Sequence, residues 1–262
     1  MNTKLFVFAW FFAVISPSMG YSQTSFDLLQ GQSCSSSYQS FCDATEPKGW
    51  SVEEKQFIED SIANLNNLGL TQFLNSVRAN GFTKITRYGY GFTITPIATS
   101  MYQRRAEIFA FTNSVTHTIS LTDYFFKNPI SIDPISLRSP RDMTLLHELV
   151  HARDKDGVFS GSQEFLSLAN FSGGDFMGVS LEELNTIKEK IYDRNQISDY
   201  NGAYLIERNF GIAHGFPRLY SMTSPAEALA DIAAFIVYDS TANTYIDPKL
   251  YDWVREKVLL IK

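Results

Sequence analysis

The sequence predicts an α+β protein: helix, then a small sheet, then helices again. Three observations carry that order. Apolar positions recur at helical spacing after Ser51, the stretch 82–126 is rich in Thr, Ile, Phe and Tyr, and helical periodicity returns beyond Phe126. With 262 residues, 44% of them hydrophobic and 19% charged, the chain is long enough to bury a substantial core.

The first twenty residues have a single Lys4, an apolar run from Leu5 to Ile15, Pro17, and small residues at Ser18 and Gly20. This is the layout of a signal peptide, cleaved after Gly20 or Ser22, and the run is short of the roughly 20 residues that span a bilayer. The expectation is an exported protein, periplasmic or secreted, with no membrane span after cleavage. Losing Lys4 takes the net charge from -6 to -7. An acidic chain without a basic cluster is poorly suited to nucleic acid or an anionic membrane.

Residues 21–50 are rich in Ser and Gln and read as a loosely structured lead-in. Its two cysteines, Cys34 and Cys42, are expected to form a disulfide in an oxidising compartment, with two free thiols as the alternative. Residues 51–262 then read as one domain, with a sheet-containing part over about 51–157 and a helical part over about 158–262.

Ser51 with Glu54 three residues later is a capping box, and Phe57, Ile58, Ile62 and Leu65 continue the helix until Gly69. A second short helix is expected over 71–81. Three or four strands follow in 82–98, 106–112 and 114–126. Further helices are predicted from Ser139 to about Asp156, Ser180 to about Tyr192, Ser224 to about Tyr238, and from about Pro248 to the C-terminus.

The helix beginning at Ser139 carries His147-Glu148-Leu149-Val150-His151. Ser139 is placed as N-cap, Pro140 takes the first helical position, and Gly157 lies past the end. At 3.6 residues per turn the two histidines share a face, so both imidazoles can reach one Zn²⁺ at about 2.0–2.1 Å. Glu148 then stands where it could take a proton from water acidified by the metal.

A third ligand has to come from elsewhere. A histidine arriving through a glycine turn is excluded, because positions 154 and 157 are Asp154 and Gly157. Asp154 and Asp156 fall at the polar end of the same helix and are expected to lie in water. The helix Pro225–Tyr238 offers better candidates: it is otherwise apolar and carries only Glu227 and Asp231, four residues apart. Buried carboxylates need partners. A metal for Glu227 and a ligand imidazole for Asp231 supply them, although Ser224 with Glu227 could also form a capping box.

His147-Glu148-x-x-His151 followed by Glu227-x-x-x-Asp231 resembles the gluzincin metallopeptidases, the thermolysin-like clan. The resemblance implies a zincin-like fold. It makes His147, His151 and Glu227 the ligands of one zinc ion, Glu148 the general base, and Asp231 the residue that orients His147. Tyr220, seven residues before Glu227, is similar in spacing to the anthrax lethal factor branch, in which a tyrosine here stabilises the oxyanion. The chain departs from that branch at Asp231, where a glutamate is usual, and lacks the asparagine that thermolysin-type enzymes carry before the third ligand.

Tyr220 and His214 are therefore the candidate oxyanion donors. His117 is expected to be an exposed strand residue. The strand at 115–121 is expected to be the sheet edge to which an extended peptide adds. The implied activity is an exported zinc metallopeptidase acting on peptide or protein. A non-catalytic zinc-binding module and a zinc hydrolase of non-peptide amides in cell-wall material are the alternatives.

Overall fold

A computed structural model describes residues 25–31, 48–89, 110–127, 140–171, 179–196 and 200–261. The expected signal peptide, Cys34 and Cys42 lie outside the described residues. Among the described residues the fold is mixed and mostly helical, with one four-stranded sheet in the N-terminal half.

Helix α1, Val52–Asn67, opens with the predicted capping box: Ser51 Oγ accepts from Glu54 N, and Glu54 Oε2 accepts from Ser51 N. Ile58, Ile62 and Leu65 are buried, while Gly69 leaves the helix with φ of 85°. Helix α2, Thr71–Ala79, buries Phe73, Leu74 and Val77.

The sheet comprises β1 Asp27–Gln30, β2 Lys84–Arg87, β3 Ala110–Asn113 and β4 Thr118–Leu121, in the order β1-β2-β4-β3. β1, β2 and β4 are parallel neighbours, and β3 runs antiparallel to β4. Two expectations are corrected here. The lead-in contains a strand, β1, stabilised by backbone pairing with β2 rather than by apolar alternation of its own. β4 is not the edge: Ile119, Ser120 and Leu121 are buried between two neighbours, so β3 takes the outer position.

β3 and β4 form a hairpin whose turn is shaped by Asn113, with Oδ1 accepting from the amides of Val115 and Thr116. His117 belongs to that turn, not to a strand. It has φ of 50°, and its half-buried ring lies against Phe82.

Helix α3, Asp123–Lys127, follows β4, and α4, Pro140–Arg153, carries the histidine motif. Leu145, Leu146, Leu149 and Val150 have no exposed surface, so this helix sits in the core. It packs between β3 on one side and α8, Pro225–Tyr238, on another. Ser61 of α1 donates to Asp142 in its first turn, and Asn80 Nδ2 donates to the carbonyls of Ala152 and Arg153 in its last. Asp154 is buried rather than solvated. Its carboxylate accepts from the amides of Phe159 and Ser160, which closes the chain back after the helix. Asp156 is exposed as expected.

Three helices were not predicted: α3, α5 Gln163–Leu168, and α7 Tyr200–Ala213. The sequence of α7 contains Gly202 and Gly211, each costing about 1 kcal/mol relative to Ala in a helix interior. Tertiary packing against α6, Leu181–Gln196, and against the short 3₁₀ turn Leu219–Met222 overrides that preference. Gly211 is required there, since a Cβ would overlap the backbone of Arg218. The C-terminal helix is shorter than predicted: α9 spans Pro248–Trp253, and a π-type turn, Val254–Val258, follows. Among the described residues, no helix is long and apolar enough to cross a membrane.

Candidate metal centre

Helices α4 and α8 cross so that three side-chain atoms converge. His147 Nε2 lies 3.0 Å from His151 Nε2 and 2.9 Å from Glu227 Oε2, and the third side of the triangle is 3.4 Å. Bonds of about 2.0–2.1 Å to a tetrahedral zinc would place neighbouring ligand atoms about 3.3 Å apart. The three donors thus outline one face of a zinc coordination tetrahedron.

Glu227 also tests the capping alternative. Ser224 Oγ accepts from the Glu227 amide, so the serine does cap α8. The Glu227 carboxylate does not complete a box and turns to the histidines instead. Its buried Oε2 makes no aligned hydrogen bond there, despite its short approach to His147 Nε2.

Asp231, one turn further along α8, is 1% exposed and accepts on both oxygens. Oδ1 lies 2.9 Å from His147 Nδ1 and 2.8 Å from Arg218 NH2; Oδ2 receives Arg218 Nε and Ser221 Oγ, each at 2.8 Å. A carboxylate facing Nδ1 assigns the ring proton to that nitrogen, which leaves Nε2 with a bare lone pair. The lone pair of His147 Nε2 then faces the Glu227 carboxylate, and a cation or a proton is needed between them.

The electrostatics match. Burial opposes charge on His147, but the hydrogen bond with Asp231 and the close carboxylates of Asp231 and Glu227 outweigh it and push its pKa up to about 10 in the metal-free protein. Burial would raise Glu227, yet the two histidines hold it well below the usual carboxylate range. Burial likewise opposes ionisation of Asp231, but Arg218 and His147 hold it low.

Glu148 follows His147 on α4 and is 6% exposed. The hydroxyl of Thr112, on edge strand β3, lies 2.7 Å from its Oε2 and 2.9 Å from its backbone oxygen. The Tyr220 ring packs on His147 with centroids 6.1 Å apart. Burial, then the charges of Glu227 and Asp231, raise the Tyr220 pKa well above its ordinary value, which keeps the phenol protonated as a donor. His214 is engaged elsewhere: Nδ1 donates to Phe210 O, its ring stacks on Phe210, and Nε2 lies 3.6 Å from Glu183 of α6.

The group His147, His151 and Glu227 is the metal-competent cluster among the described residues. A scan against protein-family models gives no match, and neither does a search of curated proteins. One solved structure is similar. It is that of a proposed zinc-binding metallo-peptidase from Bacteroides caccae ATCC 43185, 11% identical, covering 91% of this chain and 81% of that one with a TM-score of 0.39. Assignment of the present site rests on its own geometry.

Sequence reasoning missed Arg218, Ser221 and Thr112. Arg218 had a usable signal, because a buried Asp231 requires a cation and Arg218 stands thirteen residues upstream. Thr112 had none, since its proximity to Glu148 arises only when the hairpin packs on α4.

Proposed function

We propose that this chain is an exported zinc-dependent peptidase of the gluzincin type, with His147, His151 and Glu227 as metal ligands. The observation that carries the proposal is the triangle of His147 Nε2, His151 Nε2 and Glu227 Oε2, backed by Asp231 on His147 Nδ1. Two nitrogens and a carboxylate oxygen suit zinc. When bound, zinc supplies a Lewis acid for the scissile carbonyl and brings the pKa of water near 7.

Glu148 takes the water proton and passes it to the departing amine, as a general base and then a general acid. Tyr220, packed on His147, donates its phenolic proton to the developing oxyanion, and His214 takes no part. Asp231 fixes the tautomer of His147, and Arg218 and Ser221 fix Asp231. The substrate lies extended along β3, whose outer edge has no strand partner among the described residues. Export follows from residues 1–20, and the lethal factor branch from the spacing of Tyr220 to Glu227.

The deciding experiment is mass-spectrometric profiling of a peptide library cut by the zinc-loaded protein beside its Glu148→Ala variant. Cleavage by the wild type that the variant lacks supports the proposal. Equal cleavage by both removes Glu148 from the chemistry. Cleavage by neither, from a protein that holds zinc, points to the binding module or to a non-peptide amide substrate.

A further inference from the structure

The Thr112 hydroxyl carries one proton and faces two acceptors on the same residue. Glu148 Oε2 is 2.7 Å away and the Glu148 backbone oxygen 2.9 Å. The chemistry of the acceptors decides between them. Glu148 lies within α4, so its carbonyl already accepts from the amide one turn ahead. Its side chain is a buried carboxylate, and hydrogen bonds to an ionised acceptor are shorter and roughly twice as strong as neutral ones. The shorter distance falls on the carboxylate.

Strand position makes this contact specific. Thr112 pairs with Ile119, a fully buried residue of β4, so both point from the sheet toward α4. Phe111, on the opposite face, packs toward Tyr88 instead. Neither neighbour of Thr112 in β3 can therefore replace its hydroxyl. β3 is also an outer strand among the described residues, so the residue that holds Glu148 belongs to the strand proposed above to receive the substrate.

We propose that Thr112 is a positioning residue: its hydroxyl anchors Glu148 Oε2 from the sheet edge and leaves Oε1 as the oxygen that exchanges the proton. The proposal rests on the peptidase function proposed above. A fixed carboxylate presents one lone pair in one place, whereas a free one samples rotations that misalign it. Misplacement of a catalytic group by about 1 Å can cost up to about 100-fold in rate.

The test compares full-length, zinc-loaded wild type with Thr112→Val and Thr112→Ser on a peptide that the wild type cleaves, together with melting temperature, zinc content and crystal structures. Valine keeps the branched shape and removes the donor; serine restores the donor. The expected result for T112V is a kcat at least about tenfold lower with KM within about twofold, a melting temperature lowered by no more than a few degrees and one zinc per chain. T112S is expected to recover most of kcat. A T112V protein with wild-type kcat overturns the proposal, as does one whose only change is a lower melting temperature, because the hydroxyl then serves the backbone carbonyl. Failure of T112S to restore kcat overturns it as well. If the wild type cleaves no peptide, the functional proposal fails separately and the crystal structures decide. A Glu148 carboxylate displaced in T112V supports the anchoring role, and one in its wild-type place overturns it.

Discussion

Asp231 Oδ1 stands 2.9 Å from His147 Nδ1 while the same carboxylate is gripped by both the Nε and NH2 of Arg218. The aspartate therefore does for the imidazole what the guanidinium does for the aspartate: each fixes the direction of the next group inward. Asp231→Asn offers an amide that can present its NH2 to Nδ1 and drive the ring proton to Nε2, where the metal would sit. Zinc affinity is expected to fall about 10–100-fold, measured by competition with a chromophoric chelator. Unchanged affinity would remove Asp231 from the metal site.

Glu227 is the proposed ligand whose loss separates a metal site from a hydrogen-bonded cluster. Glu227→Gln keeps the Ser224 cap, which uses only the Glu227 backbone amide. Zinc content after dialysis is expected to fall below one per chain in the variant. In the wild type, stripping zinc with a chelator is expected to lower the melting temperature, since a ligand that binds only the folded state at about 100 times its Kd stabilises it by about 2.7 kcal/mol. A Glu227→Gln protein that keeps full zinc stoichiometry and affinity would overturn the ligand set.

Protons and zinc compete for the same lone pairs. In the metal-free protein the carboxylates Asp231 and Glu227 raise His147 from 6.5 to about 10, so at pH 7 its imidazole holds a proton that zinc must displace. The sign follows: this group's contribution to metal-free stability is complete below about pH 6.5 and is lost as pH rises through about 10. Glu227 and Asp231 are shifted the opposite way, so their contribution is present at neutral pH and is lost only in acid. Zinc binding at pH 7 is expected to release about one proton, and zinc affinity to increase toward pH 10. Calorimetry in two buffers of different ionisation enthalpy measures the release; a buffer-independent heat contradicts it.

The cluster of His147, His151 and Glu227 and the helices that bear it were legible because their signals are local. The HExxH spacing, the Ser-Pro start of α8 and two charges on an apolar helix can all be read within one element. Thr112, β1 and the edge position of β3 were not, because each depends on a partner distant in sequence: Glu148, β2 and β4 respectively. Asp154 shows the same limit. At the end of a helix an aspartate reads as solvated, and only the return of the chain at Phe159 and Ser160 gives it buried amides to bind. Helix α7 was hidden by Gly211, whose absent side chain is what admits the Arg218 backbone.

That close approach is itself testable. At Gly211 a Cβ would overlap backbone atoms of Arg218, and a backbone cannot rotate aside as a side chain can. Gly211→Ala gains helix propensity worth about 1 kcal/mol, but overpacking costs about 1–3 kcal/mol. The clash is with main chain, so destabilisation is expected to win and the melting temperature to fall by a few degrees, about 2–4 °C per kcal/mol lost. Because Arg218 grips Asp231, zinc affinity is expected to fall with it. A stabilised G211A protein with wild-type zinc affinity would show that α7 has room to spare there.

Tyr220 and His214 come from the same stretch of chain but end in different surroundings. Tyr220 packs on His147, and burial with two nearby carboxylates keeps its phenol protonated far into the alkaline range. His214 spends Nδ1 on Phe210 O and turns Nε2 toward Glu183 of α6. Removing a single oxyanion donor costs about 10²–10³ in kcat. Tyr220→Phe is therefore expected to lose about 100-fold in kcat, with little change in KM and one zinc still bound, while His214→Ala keeps kcat within about twofold. The ordering matters more than the magnitudes, because a donor acting only on the developing oxyanion must show its effect in kcat. If His214→Ala is the slower enzyme, α6 and α7 must move on substrate binding to bring His214 from Glu183 to the metal.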